Sequence, residues 1–188
     1  MRTSRSLIGW LLAGVLLLTG SAALANRTAD REQSMFGIEE PVKRPVRLPA
    51  SVLKILSHDE RIALCLSHDN AAPERVPDSW FLASEVHLSD AGGVDLVVQA
   101  RPQRDRNLDN SCLFGANIGP FWVFRHTSRD YQLALETDVL GLQILKSKTN
   151  GYRDIECIQA TAAKRITVYF RFDGSRYQPG PSRVKSID

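Results

Sequence analysis

The sequence lacks the patterns that identify most enzymes and metalloproteins. Its 188 residues contain no Cys-x-x-Cys pair, no Gly-x-Ser-x-Gly nucleophile turn and no phosphate-binding glycine loop. The four histidines are scattered, so the spacing of a zinc site is also absent. We therefore expect neither a cofactor nor a bound metal.

No apolar run is long enough to cross a bilayer. The longest extends from Leu7 to Leu18, and as a helix it would measure about 18 Å against a hydrocarbon thickness of about 30 Å. Two arginines precede this run and Ala23-Leu24-Ala25 follows it, which is the pattern of a cleaved export signal. The sequence predicts a signal peptide over 1–25, a mature start at Asn26, a periplasmic or secreted location and no stable membrane insertion.

A large excess of either charge is missing as well. The chain has 24 basic and 21 acidic residues, and removal of residues 1–25 takes away two of the basic ones. A mature chain this close to neutrality does not favour nucleic acid as a partner. With 43% hydrophobic residues and a mean hydropathy of −0.20, the composition is typical of a compact soluble domain.

Cysteine is scarce, and the three that occur must be interpreted for an oxidising compartment, where a disulfide is favoured. Three pairings are open. Cys157 lies in a strand-like run and shares a strand face with Ile155, whereas Cys65 and Cys112 lie beside irregular, polar segments. We predict a Cys65–Cys112 disulfide, with Cys157 a buried free thiol.

The periodicity of apolar residues divides the mature chain into three parts. Residues 26–48 are polar and contain Pro41 and Pro45, with Pro49 directly after them, which predicts a flexible arm without core residues. Residues 49–178 form a single β-rich domain that opens with two short helices, one after Pro49 and one over 59–66. Residues 179–188 are polar and proline-bearing, and we expect a frayed tail.

Strand-like runs fill the rest of the domain. Period-two alternation indicates strands over 80–88, 94–100, 121–126, 131–136, 140–148, 152–160, 165–172 and 175–178. Asn150-Gly151 and Asp173-Gly174 are dipeptides that favour tight hairpin turns, so antiparallel strands should flank each. The predicted fold class is mainly β (α+β): a twisted antiparallel hairpin sheet with one or two short N-terminal helices.

Two stretches of the chain look alike. Residues 88–98 and 147–155 both run from a glycine-containing turn to an aspartate, Asp95 or Asp154, and then into apolar residues. This pattern resembles the FG-GAP or VCBS-like blade repeat of integrin-type β-propellers. The C-terminal Gly-Tyr-x-Asp strand and the Phe-Asp-Gly-x-x-Tyr hairpin of residues 172–177 also resemble small uncharacterised exported bacterial proteins. The chain is too short for the four or more blades of a closed propeller, so the resemblance implies a shared hairpin.

Three other groups of residues are candidate functional sites. Asp105, Asn107 and Asp109 alternate as calcium ligands do, but the glycine and glutamate of a calcium loop are missing. Ser51 and Lys54 match Ser-x-x-Lys, although the motifs that accompany it in serine enzymes are absent. Trp122, Phe124 and His126 share one strand face, which favours core and leaves a sugar or peptide surface as the alternative.

These observations favour an exported, non-enzymatic binding protein of the cell envelope, such as an inhibitor, an immunity-like protein or an accessory factor. Its partner would be a protein or an envelope component. An envelope-acting hydrolase is the first alternative, and a calcium-dependent glycan-binding module is the second. The sequence predicts no catalytic residue for any of the three.

Overall fold

Alternating apolar residues and tight turns arrange the chain into two antiparallel sheets and a pair of helices. The computed structural model describes residues 32–40, 42–67, 75–103 and 109–186, so the predicted signal peptide and the mature start at Asn26 lie outside the described residues. The elements, in chain order, are β1 (Met35–Gly37), α1 (Ala50–Leu56), α2 (Glu60–Ser67), β2 (Phe81–Val86), β3 (Asp95–Ala100), β4 (Gly119–His126), β5 (Tyr131–Val139), β6 (Gly141–Thr149), β7 (Tyr152–Ala160), β8 (Lys164–Phe172) and β9 (Tyr177–Ser186).

The strands confirm the predicted β-rich class but divide between two sheets instead of forming one. The first has the order β2-β3-β4-β5 and the second the order β1-β6-β7-β8-β9. Every pairing in both sheets is antiparallel. The chain passes from one sheet to the other at Leu140, whose N–H donates to the carbonyl of Ile158 at 2.8 Å directly after β5 ends. The single residue Leu140 therefore connects β5 of the four-stranded sheet to β6 of the five-stranded sheet.

Two apolar cores lie on opposite faces of the four-stranded sheet. One fills the space between the sheets and includes Val97, Phe121 and Ile155. The other is covered by the helices and includes Val52, Val98 and Trp122. Because β3 contributes to both, all six of its residues are buried. The result is three layers, with the four-stranded sheet in the middle.

Both helices lie where the sequence predicts them. Pro49 precedes α1, and its fixed φ of −60° suits the start of a helix. Val52 and Leu56 are the buried residues of α1, one helical turn apart, and Ile62 and Cys65 are those of α2. Among the described residues, no helix has the length and apolar character needed to cross a membrane.

Both predicted hairpin turns are confirmed. Asn150 and Gly151 have φ values of +50° and +80°, the left-handed backbone that a two-residue turn between β6 and β7 requires. Gly174 has a φ of +110° in the loop between β8 and β9. There the Asp173 carboxylate accepts hydrogen bonds from the backbone N–H groups of Ser175 and Arg176, at 2.7 and 2.9 Å.

The predicted flexible arm of residues 26–48 differs from the structure in its second half. Met35–Gly37 forms β1, which pairs with β6, and the Phe36 side chain is fully buried in the core between the sheets. Val42 and Leu48 are also buried. A few buried apolar side chains hold a segment whose average composition is polar, and the composition therefore gave the wrong expectation.

The predicted frayed tail differs as well. β9 continues past Pro179 to Ser186 and pairs with β8 along this length. Prolines are tolerated here because β9 is the last strand of its sheet among the described residues, so a proline need not donate to a second neighbour. The pairing is irregular where Pro179 and Gly180 pass, between Val168 and Phe170 of the partner strand.

Candidate functional site

One arginine at the start of α2 gathers three carboxylates. Arg61 bonds Asp59 through both Nε and a terminal nitrogen, at 3.2 and 2.8 Å, and contacts Glu136 at 2.8 Å. A second terminal nitrogen bonds Asp138. The guanidinium also lies 5.3 Å from the centre of the Trp122 ring. We call Asp59, Arg61, Glu136 and Asp138 the Arg61 cluster.

Local structure positions each member of this cluster. Asp59 directly precedes α2, and its Oδ1 accepts the backbone N–H groups of Arg61 and Ile62, as a helix N-cap does. Its Oδ2 accepts the indole N–H of Trp122 at 2.7 Å, which ties the helix to β4. Glu136 and Asp138 are two residues apart on β5 and therefore point to the same side of that strand.

The environments of the carboxylates shift their pKa values in opposite directions. Burial opposes ionisation of Asp59, but hydrogen bonds from Arg61 and Trp122 outweigh it and lower the pKa of Asp59. Burial and the neighbouring charges of Asp59 and Asp138 raise the pKa of Glu136, against the attraction of Arg61. With all groups ionised, the cluster combines three negative charges with one positive charge and favours an added cation.

These shifts predict different pH behaviour for two variants that each remove one carboxylate charge. Asp59 has a lowered pKa when folded, so its charge stabilises the fold above the unfolded pKa, and this contribution is lost as pH falls through the folded pKa. Asp59→Asn should cost about 2 kcal/mol at pH 7, the size of hydrogen bonds to a charged group, and much less at pH 3. Urea unfolding at both pH values measures this.

Glu136→Gln is the matched control. A raised folded pKa means that ionised Glu136 is disfavoured by folding above the unfolded pKa. Because the side chain is 45% exposed, removal of its charge should leave stability at pH 7 unchanged or slightly higher, by less than about 1 kcal/mol. An equal loss of stability in the two variants would contradict this account of the cluster.

Three hollows lie along β5, two of them beside α1 and the third beside the β8–β9 hairpin. The first, of about 410 Å³, is lined by Ser51, Lys54, Ile55, His58 and Asp130. The second, of about 200 Å³, shares Ile55 and His58 with it and adds Trp122, Leu133 and Glu136. The third, of about 510 Å³, shares Leu133 and Glu136 with the second and continues to residues 175–179 of the β8–β9 hairpin. We call these three neighbouring hollows together the β5 groove.

The groove contains the outer edge of β5. This strand ends the four-stranded sheet, so its edge away from β4 has no strand partner among the described residues. Asp138 faces Pro120 of β4, whose nitrogen carries no hydrogen. The backbone carbonyl of Asp138 instead accepts a hydrogen bond from the side-chain amide of Gln159 at 3.1 Å. Since antiparallel bonding alternates along a strand, the backbone of Glu136 also faces away from β4 and into the groove.

The predicted disulfide is confirmed. Cys65 and Cys112 are bonded, with their Cα atoms 5.6 Å apart, and Cys157 is a buried free thiol. Burial raises the pKa of Cys157 to about 12, which keeps the thiol protonated and unreactive. The bond joins α2 to a short helical turn before β4, and so fastens the helical layer to the loop that leads into the sheet.

Of the predicted aromatic face, only His126 is exposed. Trp122 and Phe124 are fully buried in the core beneath the helices, which is the core alternative. His126 lies at the end of β4, where its ring packs edge-on against Tyr131 at 5.4 Å between centroids. Trp122 nevertheless contributes to the β5 groove, because part of it forms the floor of the second hollow.

The two look-alike stretches meet in space. Ser89 and Tyr152 form an antiparallel bridge, and the N–H of Arg153 donates to the carbonyl of Leu88 at 2.7 Å. Asp95 is buried and accepts the backbone N–H groups of Leu88 and His126, at 2.9 and 2.8 Å. This aspartate therefore stabilises a loop junction. The resemblance to propeller blades rests on sequence alone.

Of the two remaining candidate motifs, the structure describes both residues of Ser-x-x-Lys and only part of the calcium-like group. Ser51 and Lys54 both lie on α1 and line the first hollow, together with His58 and Asp130. Asp105 and Asn107 lie outside the described residues. Asp109 is exposed, and its Oδ1 accepts the N–H of Ser111.

Sequence reasoning missed the Arg61 cluster, because its members are far apart in the chain. Arg61 and Asp138 are 77 residues apart. Asp59 before an apolar helix is a visible N-cap signal, whereas Glu136 ends the strand predicted over 131–136 and Asp138 lies beyond it. Nothing in the sequence shows that these two features meet.

The chain matches no known protein family, no curated protein and no solved structure.

Proposed function

We propose that this protein is an exported, non-enzymatic binding protein of the cell envelope that holds an extended segment of a partner protein along the β5 groove. An inhibitor, an immunity-like protein or an accessory factor would each work in this way. The observation that carries the proposal is the open edge of β5, which lies in a groove bounded by α1 on one side and by the β8–β9 hairpin on the other.

Strand addition uses this kind of edge. An extended peptide beside β5 would exchange backbone hydrogen bonds with it, and alternate side chains of the peptide would enter the hollows. The second hollow offers apolar surface from Ile55 and Leu133, which are partly exposed. The partner segment should therefore place an apolar side chain there.

Charge adds a second requirement. Glu136 lines the second and third hollows and its side chain is 45% exposed, so its carboxylate reaches the groove while it contacts Arg61. Asp138, 42% exposed, is bonded to the same guanidinium. The excess negative charge of the Arg61 cluster favours a lysine or arginine in the partner segment, next to its apolar residue.

The other strand edges of the described residues are less suited to pairing. Val46 donates its N–H to the carbonyl of Ala83 in β2 at 2.9 Å and so occupies the middle of that edge. β1 has three residues, and β9 carries Pro179 and Pro181, which cannot donate. β5 has a bulge at Ala134, where the register to β4 shifts, and the regular edge lies after it.

A site-specific cross-linker tests the proposal in cells that express the protein. Ser175 lines the third hollow, whereas Ser147 is exposed on β6 and lines none of the three. A photo-reactive residue at Ser175 should yield one discrete cross-linked protein, and the same residue at Ser147 should not. Glu136→Lys combined with the cross-linker at Ser175 should abolish that product. Equal products at both positions, or a product that Glu136→Lys does not change, would contradict the proposal.

An envelope-acting hydrolase is the second candidate, and the opposite pKa shifts of Asp59 and Glu136 favour it. A carboxyl group with a raised pKa beside one that stays ionised is the arrangement used for acid and base roles. The purified protein would then release fragments from peptidoglycan, and Glu136→Gln would stop the release. A binding protein shows no release with either form.

A further inference from the structure

Positive charge is concentrated in the C-terminal hairpin. Residues 164–186 contain six basic residues and one acidic residue, a net charge of +5, whereas the rest of the chain has 18 basic and 20 acidic residues, a net charge of −2. These residues are β8, β9 and the loop between them. The nearly neutral total thus conceals a strongly asymmetric distribution.

Four of these cations share one face of the hairpin. Strand alternation places Arg165 and Arg171 on the same side of β8 as Tyr169. The register pairs Arg165 with Lys185 and Thr167 with Arg183, which places the two β9 cations on that side too. We call Arg165, Arg171, Arg183 and Lys185 the basic face. All four side chains are exposed, and none forms an ion pair with another described residue.

The like charges of the basic face destabilise the hairpin on which they lie. Arg165 and Lys185 are direct cross-strand partners, and like charges in that position are destabilising. Arg183 lies over the Tyr169 ring at 5.7 Å, which holds its guanidinium against the sheet. Glu156 of β7 is the cross-strand partner of Tyr169 and lies on the same side, so this surface has four cations to one nearby carboxylate. The excess of positive charge is complementary to an extended anionic surface.

Apolar surface adjoins these cations. Ala160 pairs with Arg165 across β7 and β8, and both line a hollow of about 390 Å³ with Ile158 and Met35. Met35 is 47% exposed. Glu39 and Glu40 line the far part of the same hollow. Cations beside an accessible apolar hollow suit a surface that presents both anionic groups and hydrocarbon.

We propose that the basic face docks on a bilayer surface rich in anionic phospholipid. The adjoining apolar hollow favours a bilayer over nucleic acid, which presents no hydrocarbon chains. None of the four cations of the basic face lines a hollow of the β5 groove. The inference therefore does not depend on the proposed function. A bound partner and a membrane could be held at once, on different faces of the molecule.

Vesicle sedimentation tests the inference with protein purified after export from cells. Vesicles of phosphatidylcholine with about 30% phosphatidylglycerol should bind the protein, and vesicles of phosphatidylcholine alone should not; binding should weaken in 0.5 M NaCl. Arg165→Gln with Lys185→Gln should lower the partition coefficient about 25-fold, at about fivefold for each cation. The matched control is Arg129→Gln with Lys43→Gln, which removes the same charge from exposed positions elsewhere that line none of the described hollows.

The control should change partitioning by less than about twofold, since neither Lys43 nor Arg129 lies on the hairpin. Circular dichroism of both double variants confirms that they are folded. Equal losses in the two variants, or binding that does not respond to phosphatidylglycerol, would overturn the inference. Binding of a duplex oligonucleotide without binding of anionic vesicles would overturn it in favour of nucleic acid.

Discussion

Replacement of Cys65 by serine is expected to lower the free energy of unfolding by about 4 kcal/mol. The Cys65–Cys112 bond spans 47 residues, and in the chain-entropy treatment a loop of this length stabilises the folded state by about that amount. For a domain of this size, about 4 kcal/mol corresponds to a fall in Tm of roughly 10 °C. Thermal and urea unfolding of the oxidised protein and the variant measure the difference.

The matched control is Cys157→Ala, which removes the third cysteine without opening a loop. Cys157 is buried, so its loss should leave a small cavity and cost about 1 kcal/mol. Mass spectrometry of non-reduced peptides should give a Cys65–Cys112 crosslink from both the original protein and this control. A crosslink that contains Cys157, or equal destabilisation by the two variants, would contradict the assigned pairing.

Phe36→Ala should destabilise the protein by about 4 kcal/mol, the usual cost of truncating a fully buried aromatic side chain. Phe36 is 0% exposed and lies in the core between the two sheets, although it belongs to a segment of polar composition. The large effect is expected because β1 has only three residues, so nothing else in the strand replaces this contact.

Met35→Ala is the neighbouring control. Its side chain is 47% exposed, and truncation should cost less than about 1 kcal/mol. Urea unfolding of both variants decides between a packed strand and a flexible arm. If Phe36→Ala were as mild as Met35→Ala, the segment would be an arm as its composition suggests, and the placement of β1 would be wrong.

The hairpins were predictable because their signals are local. Asn150-Gly151 and Asp173-Gly174 supply the backbone freedom that a turn needs, and the strands on either side alternate. The pairing of β4 with β5 followed from the four-residue connection between them in the same way. Cysteine pairing was also accessible, since the strand character of Cys157 separated it from the other two.

The division into two sheets was not predictable from such signals. It depends on one position, Leu140, where the chain leaves one sheet and bonds to a strand of the other. Gly141 follows Leu140, but Val139 and Leu140 are apolar like the strands they join, and no dipeptide typical of a tight turn occurs here. The end of the chain was misjudged for the opposite reason, because Pro179 is a strong local signal that an edge strand can accommodate.

The candidate site shows the same limit. Trp122 was visible as an aromatic residue on a strand face, but its partner Asp59 is 63 residues away in the chain. The groove depends on which strand ends the sheet and on which helix packs beside it, and both are properties of the tertiary arrangement. Negative charge at the groove and positive charge on the hairpin likewise become separate surfaces only after folding.

Amide hydrogen exchange in the complex tests strand addition at β5 most directly. The partner captured at Ser175 would be produced, mixed with the protein and compared with the protein alone. Strand addition predicts slower exchange for the β5 amides that face the groove, with Glu136 among them, and no change in β2, where Val46 occupies the middle of the edge. Unchanged exchange throughout β5 in the complex, with protection confined to another surface, would show that the partner does not bind along this strand.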